Sequence, residues 1–177
     1  MANKQSTAAK AAQVAVIMGS DSDLEAMKAC MATMESLGIT FSVTIASAHR
    51  TPKHLETTIR KFENNGGKVV IAAAGGAAHL AGVIAALTPL PVLGVPMRSP
   101  MLGLDSLLSM AQMPPGVPVA VVGVNGSKNA ALFAAQILSH LDESVRDALI
   151  AFRKDQAAKV VAKSKKLDKL GWASYQA

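Results

Sequence analysis

The sequence predicts an α/β fold, in which a five-stranded parallel sheet lies between two layers of helices. Short apolar runs alternate five times with segments whose apolar residues recur at spacings of three and four, as strands and helices do in such folds. Half of the 177 residues are apolar, yet only 3% are aromatic. Small and branched aliphatic side chains must therefore fill the core, which is typical of parallel strands buried on both faces.

The first βα unit begins with the apolar run VAVIM at residues 14–18. Gly38 ends the helix that follows, because glycine tolerates the left-handed conformation just past a helix. Cys30 lies on the apolar face of this helix. We interpret it as a core residue, and a nucleophile is the less favoured alternative, because buried thiols are inert. The other residues on this face are Leu24, Met27, Met31, Met34 and Leu37.

The second unit begins with FSVTIAS at residues 41–47, whose alternating polarity predicts a strand. Thr51 and Pro52 then have the residue types favoured at the N-cap and first position of a helix. Gly66 and Gly67 end this helix. Its predicted inward residues are Leu55, Ile59 and Phe62.

The other three units follow the same alternation. Their strands are predicted at residues 69–74, 91–95 and 117–124. Their helices are predicted to end near residue 87 and to cover 104–112 and 127–140, the last with Leu132, Ala135 and Leu138 inward. Five successive βα units indicate a flavodoxin-like three-layer sandwich over residues 14–140.

A further helix is predicted after the fifth unit, from about Asp142 to Lys163, with an apolar stripe of Val145, Leu149, Phe152 and Val160. A helix added after the fifth βα unit has no assured packing surface on its own domain, so we expect this extra C-terminal helix to pack on a neighbouring subunit. The predicted organisation is a flexible N-terminal arm (1–13), the sandwich domain (14–140), the C-terminal helix (141–166) and a tail (167–177).

Composition narrows the function classes. The formal net charge is +6, with much of the excess in the C-terminal segment, which favours a solvated helix face; nucleic-acid binding is the less favoured alternative. The one Tyr and one Trp offer little stacking surface, and the one cysteine excludes an intrachain disulfide. No Cys/His cluster has the spacing of a metal site. Without a signal peptide or membrane-spanning pattern, we expect a cytoplasmic protein.

Three loops with unusual chemistry are predicted at one edge of the sheet. Right-handed crossovers place every strand-to-helix loop at that edge, where ligands of such sheets bind. The loops are GSDSD (19–23), SAHRTP (47–52) and AGGAAHLAG (74–82).

Each loop has a functional and a structural interpretation. In the first, Gly19, Ser20, Ser22 and the amides of a new helix suit an anion, although helix capping explains the same serines. The loop has neither the GxGxxG nor the Walker pattern, which makes a dinucleotide or triphosphate site unlikely. In the second, Arg50 suits a phosphate or carboxylate and a histidine can move a proton near neutral pH; an exposed polar pair is the alternative.

The third loop is built from small residues that let backbone amides line a pocket. The same glycines could instead serve helix–sheet packing, and His79 could be a structural histidine. His54 and His140 fall on helix surfaces, and we assign them no function.

These strings, with PVLGVP, GLDSLLSMAQMPPGVPV and NGSKNAALFAAQIL, resemble in order and spacing the class I 5-(carboxyamino)imidazole ribonucleotide mutases of purine biosynthesis. The resemblance covers about residues 14–150, and SAHRTP followed some thirty residues later by GGAAHL is its most specific part. It implies an isomerase that moves a carboxylate from the exocyclic nitrogen of an aminoimidazole ribonucleotide to the adjacent ring carbon. It also implies a homo-octamer with no metal, organic cofactor or ATP.

The resemblance assigns the site residue by residue. His49 is the implied catalytic acid and base. The implied substrate-binding residues are Ser20, Asp23, Ser47, Ala48, Arg50, Gly75, Gly76, Ala77, His79 and Leu80. Arg50 suits the phosphate and Asp23 the ribose hydroxyls, because a carboxylate accepts hydrogen bonds but repels phosphate.

Two segments depart from the family pattern, and two alternative functions stay open. Ala81 replaces an expected proline, which predicts a looser loop, and MRSPML (97–102) is less typical. The first alternative is the class II reaction, in which aminoimidazole ribonucleotide is carboxylated directly with CO₂. The second is a non-catalytic module that binds a nucleotide.

Overall fold

The computed structural model describes residues 11–176, so most of the predicted N-terminal arm lies outside the described residues. Five parallel strands form one sheet in the order β2-β1-β3-β4-β5. This is the flavodoxin-like order, and the predicted fold class is confirmed. The strands are β1 (Val14–Met18), β2 (Phe41–Ile45), β3 (Val69–Ala74), β4 (Val92–Pro96) and β5 (Ala120–Val121).

Six α-helices flank and extend the sheet within the described part of the chain. They are α1 (Leu24–Ser36), α2 (Pro52–Asn64), α3 (Leu80–Leu87), α4 (Leu104–Ala111), α5 (Ser127–Leu138) and α6 (Glu143–Leu170). None of the helices in residues 11–176 is both long and apolar enough to cross a membrane.

The sheet separates two apolar cores because successive strand residues point to opposite faces. On one face, Val14, Val16 and Met18 of β1 pack in the core that α1, α5 and the start of α6 complete. On the other, Ala15 and Ile17 pack in the core that α2, α3 and α4 complete. The central strands β1, β3 and β4 are buried along their whole length, so their carboxyl ends are rigid points from which loops emerge.

The fifth strand is much shorter than the predicted segment 117–124. Its ladder pairs with β4 are at Ala120 and Val121, and the Val122 amide adds one bond to the Gly94 carbonyl at 3.0 Å. The strand is half-buried at an edge of the sheet. Pro118 has no N–H to donate to a strand ladder, which accounts for the late start of β5.

The last helix is longer than predicted, and its two halves differ in exposure. It continues past Lys163 to Leu170. Val145 in its first turn is 1% exposed, whereas Val160 is 67% exposed and Trp172, just past its end, is 88% exposed. The predicted apolar stripe thus packs on this chain's own core only at its N-terminal end. On α1, Leu24 is likewise exposed rather than buried.

Candidate active site

A cavity of about 500 Å³ opens at the carboxyl edge of the sheet. Four loops surround it, those that follow β1, β2, β3 and β4. The lining residues are Gly19, Ser20, Ser22, Asp23, Ser47, Ala48, His49, Arg50, Ala74, Gly75, Gly76, Ala77, Leu80, Met97, Arg98, Ser99 and Pro100. The three loops singled out in the sequence therefore converge on one space.

The loop after β1 forms a short 3₁₀ turn that Ser20 caps. Its hydroxyl accepts a hydrogen bond from the Ser22 amide at 3.3 Å, and the Ser20 amide donates to Asp23 Oδ2 at 3.3 Å. Burial raises the pKa of Asp23, and the charge of Asp21 adds to this effect, while the bond from the Ser20 amide opposes it. Ser20 therefore caps the turn and also lines the cavity, so the two interpretations of this serine do not exclude each other.

The loop after β2 is closed by Thr51 and Arg50. Thr51 occupies the predicted N-cap position of α2, but its hydroxyl accepts from the Ser47 amide at 2.9 Å and donates to the Ser47 carbonyl at 3.1 Å instead of capping helix amides. The Arg50 guanidinium donates to the Ser47 hydroxyl at 3.4 Å and to the Gly19 carbonyl at 3.3 Å. Arg50 thereby connects the loops after β1 and β2.

Two histidines meet at the wall of the cavity. His49 Nε2 and His79 Nδ1 lie 2.9 Å apart, and their rings meet edge to face with centroids 5.0 Å apart. A hydrogen bond between two imidazoles requires a proton on one of these nitrogens and a lone pair on the other. His79 immediately precedes α3, so β2 and β3 each place one histidine at this point.

The loop after β3 is built around two glycines that other residues would distort. A Cβ on Gly75 would lie 3.3 Å from the Met97 Cβ, and Gly76 has a φ of +63°, a conformation that side chains disfavour. The Gly76 amide donates to the Ser106 hydroxyl at 2.9 Å. Ala81 lies beyond this loop, buried in the first turn of α3, so the helix rather than a proline restrains its backbone.

The loop after β4 supplies a fourth wall that the sequence interpretation missed. Met97, Arg98, Ser99 and Pro100 all line the cavity, and the Arg98 amide is held by a 3.0 Å bond to the Asn125 side chain. Arg98 adds a second guanidinium to the lining. Its position could have been predicted, because Arg98 directly follows the strand next to β3 and all strands of this sheet end at the same edge.

All the site residues predicted from sequence line the cavity except His79, which reaches it through His49. His54 is exposed on α2 as predicted, whereas His140 is exposed in the turn after α5 and not on a helix surface. Cys30 is buried in the core, and burial raises the pKa of its thiol to about 12. Across residues 11–176, His, Cys, Asp and Glu side chains form no group of three that could hold a metal ion.

Comparisons with known proteins show what this chain is similar to. The family model described as AIR carboxylase matches residues 13–159. A Pyrococcus horikoshii protein named N5-carboxyaminoimidazole ribonucleotide mutase is 50% identical over 92% of this chain and 92% of its own length. A Schizosaccharomyces pombe phosphoribosylaminoimidazole carboxylase is 47% identical over 93% of this chain, which corresponds to 30% of that protein. The crystal structure of Treponema denticola PurE superposes with a TM-score of 0.81 at 28% identity, covering 87% of this chain and 97% of that one.

Proposed function

This chain belongs to the AIR carboxylase family, and we propose that it is an isomerase of purine biosynthesis. It converts 5-(carboxyamino)imidazole ribonucleotide to 4-carboxy-5-aminoimidazole ribonucleotide, the reaction for which its full-length relatives are named. The observation that carries the proposal is the His49–His79 pair beside a wall of small residues and a guanidinium. The histidines can exchange protons, the small residues leave room for CO₂, and the guanidinium suits the substrate phosphate.

The reaction moves one proton in and one proton out. A proton delivered to the exocyclic carbamate nitrogen breaks its C–N bond and releases CO₂ and the aminoimidazole. The adjacent ring carbon then attacks CO₂ and forms the new C–C bond. Loss of the proton from that carbon restores the aromatic ring, so no net proton is consumed.

His49 is the proposed donor of the first proton and acceptor of the last. It lines the cavity, and histidine is the side chain that ordinarily exchanges protons near neutral pH. His79 is bonded to His49 Nε2 and orients the imidazole. The family resemblance also assigns it the travelling carboxylate, although His79 itself does not line the cavity.

The remaining site residues are proposed to bind the ribose phosphate and the base. Arg50 holds the phosphate with the hydroxyls of Ser20 and Ser47, because a guanidinium offers several N–H donors to phosphate oxygens. Asp23 accepts hydrogen bonds from the ribose hydroxyls, which would favour the ionised carboxylate that burial now disfavours. The walls against the base are Ala48, Gly75, Gly76, Ala77 and Leu80.

A product assay tests this function. Purified protein is given the carbamate nucleotide in one reaction and aminoimidazole ribonucleotide with bicarbonate in another, with no ATP or metal added. The mutase converts the carbamate preferentially. Preference for bicarbonate would support direct carboxylation, and binding without turnover in either reaction would support a non-catalytic module.

The variant His49→Ala separates binding from chemistry. We expect it to bind the nucleotide and to lose turnover by roughly 10²–10⁴-fold, the usual contribution of a positioned acid–base group. His54→Ala is the matched control, since His54 is exposed on α2 away from the cavity lining. Turnover by His49→Ala at the wild-type rate would refute the assigned role.

The proposal extends to assembly and location. The first half of α6 exposes Ile150 and its distal half exposes Val160 and Val161, and a helix of this kind is stable mainly through packing of its apolar face. We therefore propose that it packs on neighbouring subunits in a homo-oligomer, with the octamer implied by the family resemblance. A cytoplasmic location stays a prediction.

A further inference from the structure

We infer that Ser106 is a positioning residue that holds the glycine wall of the cavity in place and so helps the site to retain released CO₂. The inference rests on the proposed function, since CO₂ is set free in this cavity only if the carboxylate transfer takes place there. It concerns α4, whose residues do not line the cavity and which the proposed chemistry does not use.

The first step is the contact between α4 and the wall. Ser106 is fully buried, with 0% of its surface exposed, and its hydroxyl oxygen accepts the hydrogen bond of the Gly76 amide at 2.9 Å. Gly76 lines the cavity and has a backbone conformation with a positive φ. Gly76 is half-buried, and without the Ser106 hydroxyl its amide would lose its protein acceptor, so this bond restrains the glycine backbone in its observed position.

The second step extends the connection to the neighbouring wall, which the loop after β4 forms. Asp105 Oδ1 accepts from the Ser106 amide at 2.9 Å and from the Ser99 hydroxyl. The Ser99 hydroxyl in turn accepts from the Gly103 amide at 3.1 Å. Ser99 lines the cavity, so one carboxylate at the start of α4 joins the loop after β4 to the residue that holds the loop after β3.

The third step is what this connection does for the reaction. CO₂ is small and uncharged, so walls in close contact must retain it between the two bond changes. The two walls approach closely at Gly75, because a Cβ added there would lie only 3.3 Å from Met97 Cβ. Without the Ser106 hydroxyl, the glycine wall moves more easily, so dissolved CO₂ leaves the cavity more often and aminoimidazole ribonucleotide is left behind.

Isotope retention measures this escape directly. The carbamate nucleotide is labelled with ¹³C in its carboxyl group and turned over in unlabelled bicarbonate, with spontaneous decomposition subtracted from an enzyme-free reaction. Wild-type enzyme transfers the label to the product. We expect Ser106→Ala to lose about fivefold more label per turnover, the change in an equilibrium that one neutral hydrogen bond produces.

Two matched serines separate positioning from general destabilisation. Ser109→Ala removes a hydroxyl from the same helix that bonds only within α4. Ser127→Ala removes a hydroxyl as buried as that of Ser106, which joins α5 to α1. Both should retain the label as the wild type does, even if Ser127→Ala lowers thermal stability.

Amide hydrogen exchange gives a readout that needs no turnover. Exchange of the Gly76 amide should accelerate in Ser106→Ala and stay unchanged in Ser109→Ala. If Ser106→Ala does not fold, Ser99→Ala removes the bond from the half-buried Ser99 hydroxyl to Asp105. This variant should also lose more label per turnover than the wild type. Full retention of label by these variants in an active enzyme would overturn the inference, whereas a wild-type enzyme without mutase turnover would overturn the proposed function beneath it.

Discussion

At the scale of single residues, Arg50 has both a structural and a proposed binding role. Its guanidinium reaches the Gly19 carbonyl and the Ser47 hydroxyl, and a lysine keeps the charge but loses the planar set of donors. We expect Arg50→Lys to raise KM by roughly 10- to 100-fold, the range for losing a charged hydrogen bond. Steady-state kinetics measure this, with Arg60→Lys on the exposed face of α2 as control; equal KM values in the two variants would contradict it.

The single cysteine provides a second residue-scale prediction. Burial raises the pKa of Cys30 to about 12, so at pH 8 only about one thiol in ten thousand is ionised. Since the thiolate is the reactive form, the native protein should react negligibly with a disulfide reagent. The denatured chain should react with one equivalent of the reagent per chain. Rapid reaction of the folded protein would show that Cys30 is accessible and would revive its interpretation as a nucleophile.

Sequence reasoning located the individual site residues better than their mutual contacts. The positions of His49, Arg50 and Gly75 follow from strand ends, because parallel strands of this topology present their loops on one edge. The 2.9 Å approach of His49 to His79 depends on a helix start and a loop conformation that periodicity does not encode. Arg98 was overlooked because the residues around it have no distinctive motif, although its strand end was correctly predicted to lie at that edge.

At the scale of secondary-structure elements, the start of α3 tolerates the proline expected at residue 81. Ala81 is the second residue of the helix, where the amide has no intrahelical partner and φ already suits proline. We expect Ala81→Pro to stabilise the fold by about 0.4–1 kcal/mol through the unfolded state. Ala85→Pro, in the interior of the same helix, should cost about 3 kcal/mol or more. Chemical denaturation measures both; destabilisation by Ala81→Pro would show that the packed site cannot accept the ring.

The start of α6 is predicted to be acid-sensitive. The Ser144 side chain, followed by backbone amides and Gln13, lowers the pKa of Asp142, which caps the helix. A carboxyl with a lowered pKa stabilises the fold above its unfolded pKa and loses that contribution as pH falls through the folded value. The difference in Tm between wild type and Asp142→Ala should therefore be constant from pH 5 to 7 and shrink below about pH 4.

The exposed Asp147, on the same helix, provides the matched carboxylate control for this experiment. Asp147→Ala removes a charge from α6 and leaves the cap in place. A Tm difference for Asp142→Ala that did not shrink in acid would contradict the assignment of its effect to the ionised cap.

Element boundaries could be predicted wherever glycine, proline or a cap punctuates the chain. The bounds of β1 and β3 agree with the prediction, and α2 begins at Pro52 as expected. The extent of β5 could not be predicted, because an apolar run does not determine how many of its residues pair with the neighbouring strand at a sheet edge. The length of α6 was underestimated because its basic end was taken for a tail, although lysines favour helices.

At the scale of the whole molecule, α6 determines the predicted assembly. The helix has 28 residues and is about 42 Å long, so it extends well beyond the core that its first turns contact. We expect the wild type to be an oligomer by light scattering and native mass spectrometry. Val160→Asp with Val161→Asp should shift it to smaller species, because a charge in an apolar interface has no partner.

Lys159→Ala with Lys163→Ala serves as control for that assembly experiment, since both lysines are exposed on the same stretch of helix. The control should assemble as the wild type does. A monomeric wild type, or an aspartate variant of unchanged mass, would contradict a role for this face.

A tryptophan just past the end of α6 provides a fluorescence signal from the C-terminal region. Trp172 is the only tryptophan in the chain and is 88% exposed beyond the helix, remote in sequence from every residue of the cavity. Its fluorescence therefore reads the surroundings of the C-terminus without interference from another indole. A blue shift on raising the protein concentration would report subunit association, and adding nucleotide would reveal whether occupancy of the cavity changes the surroundings of the C-terminus.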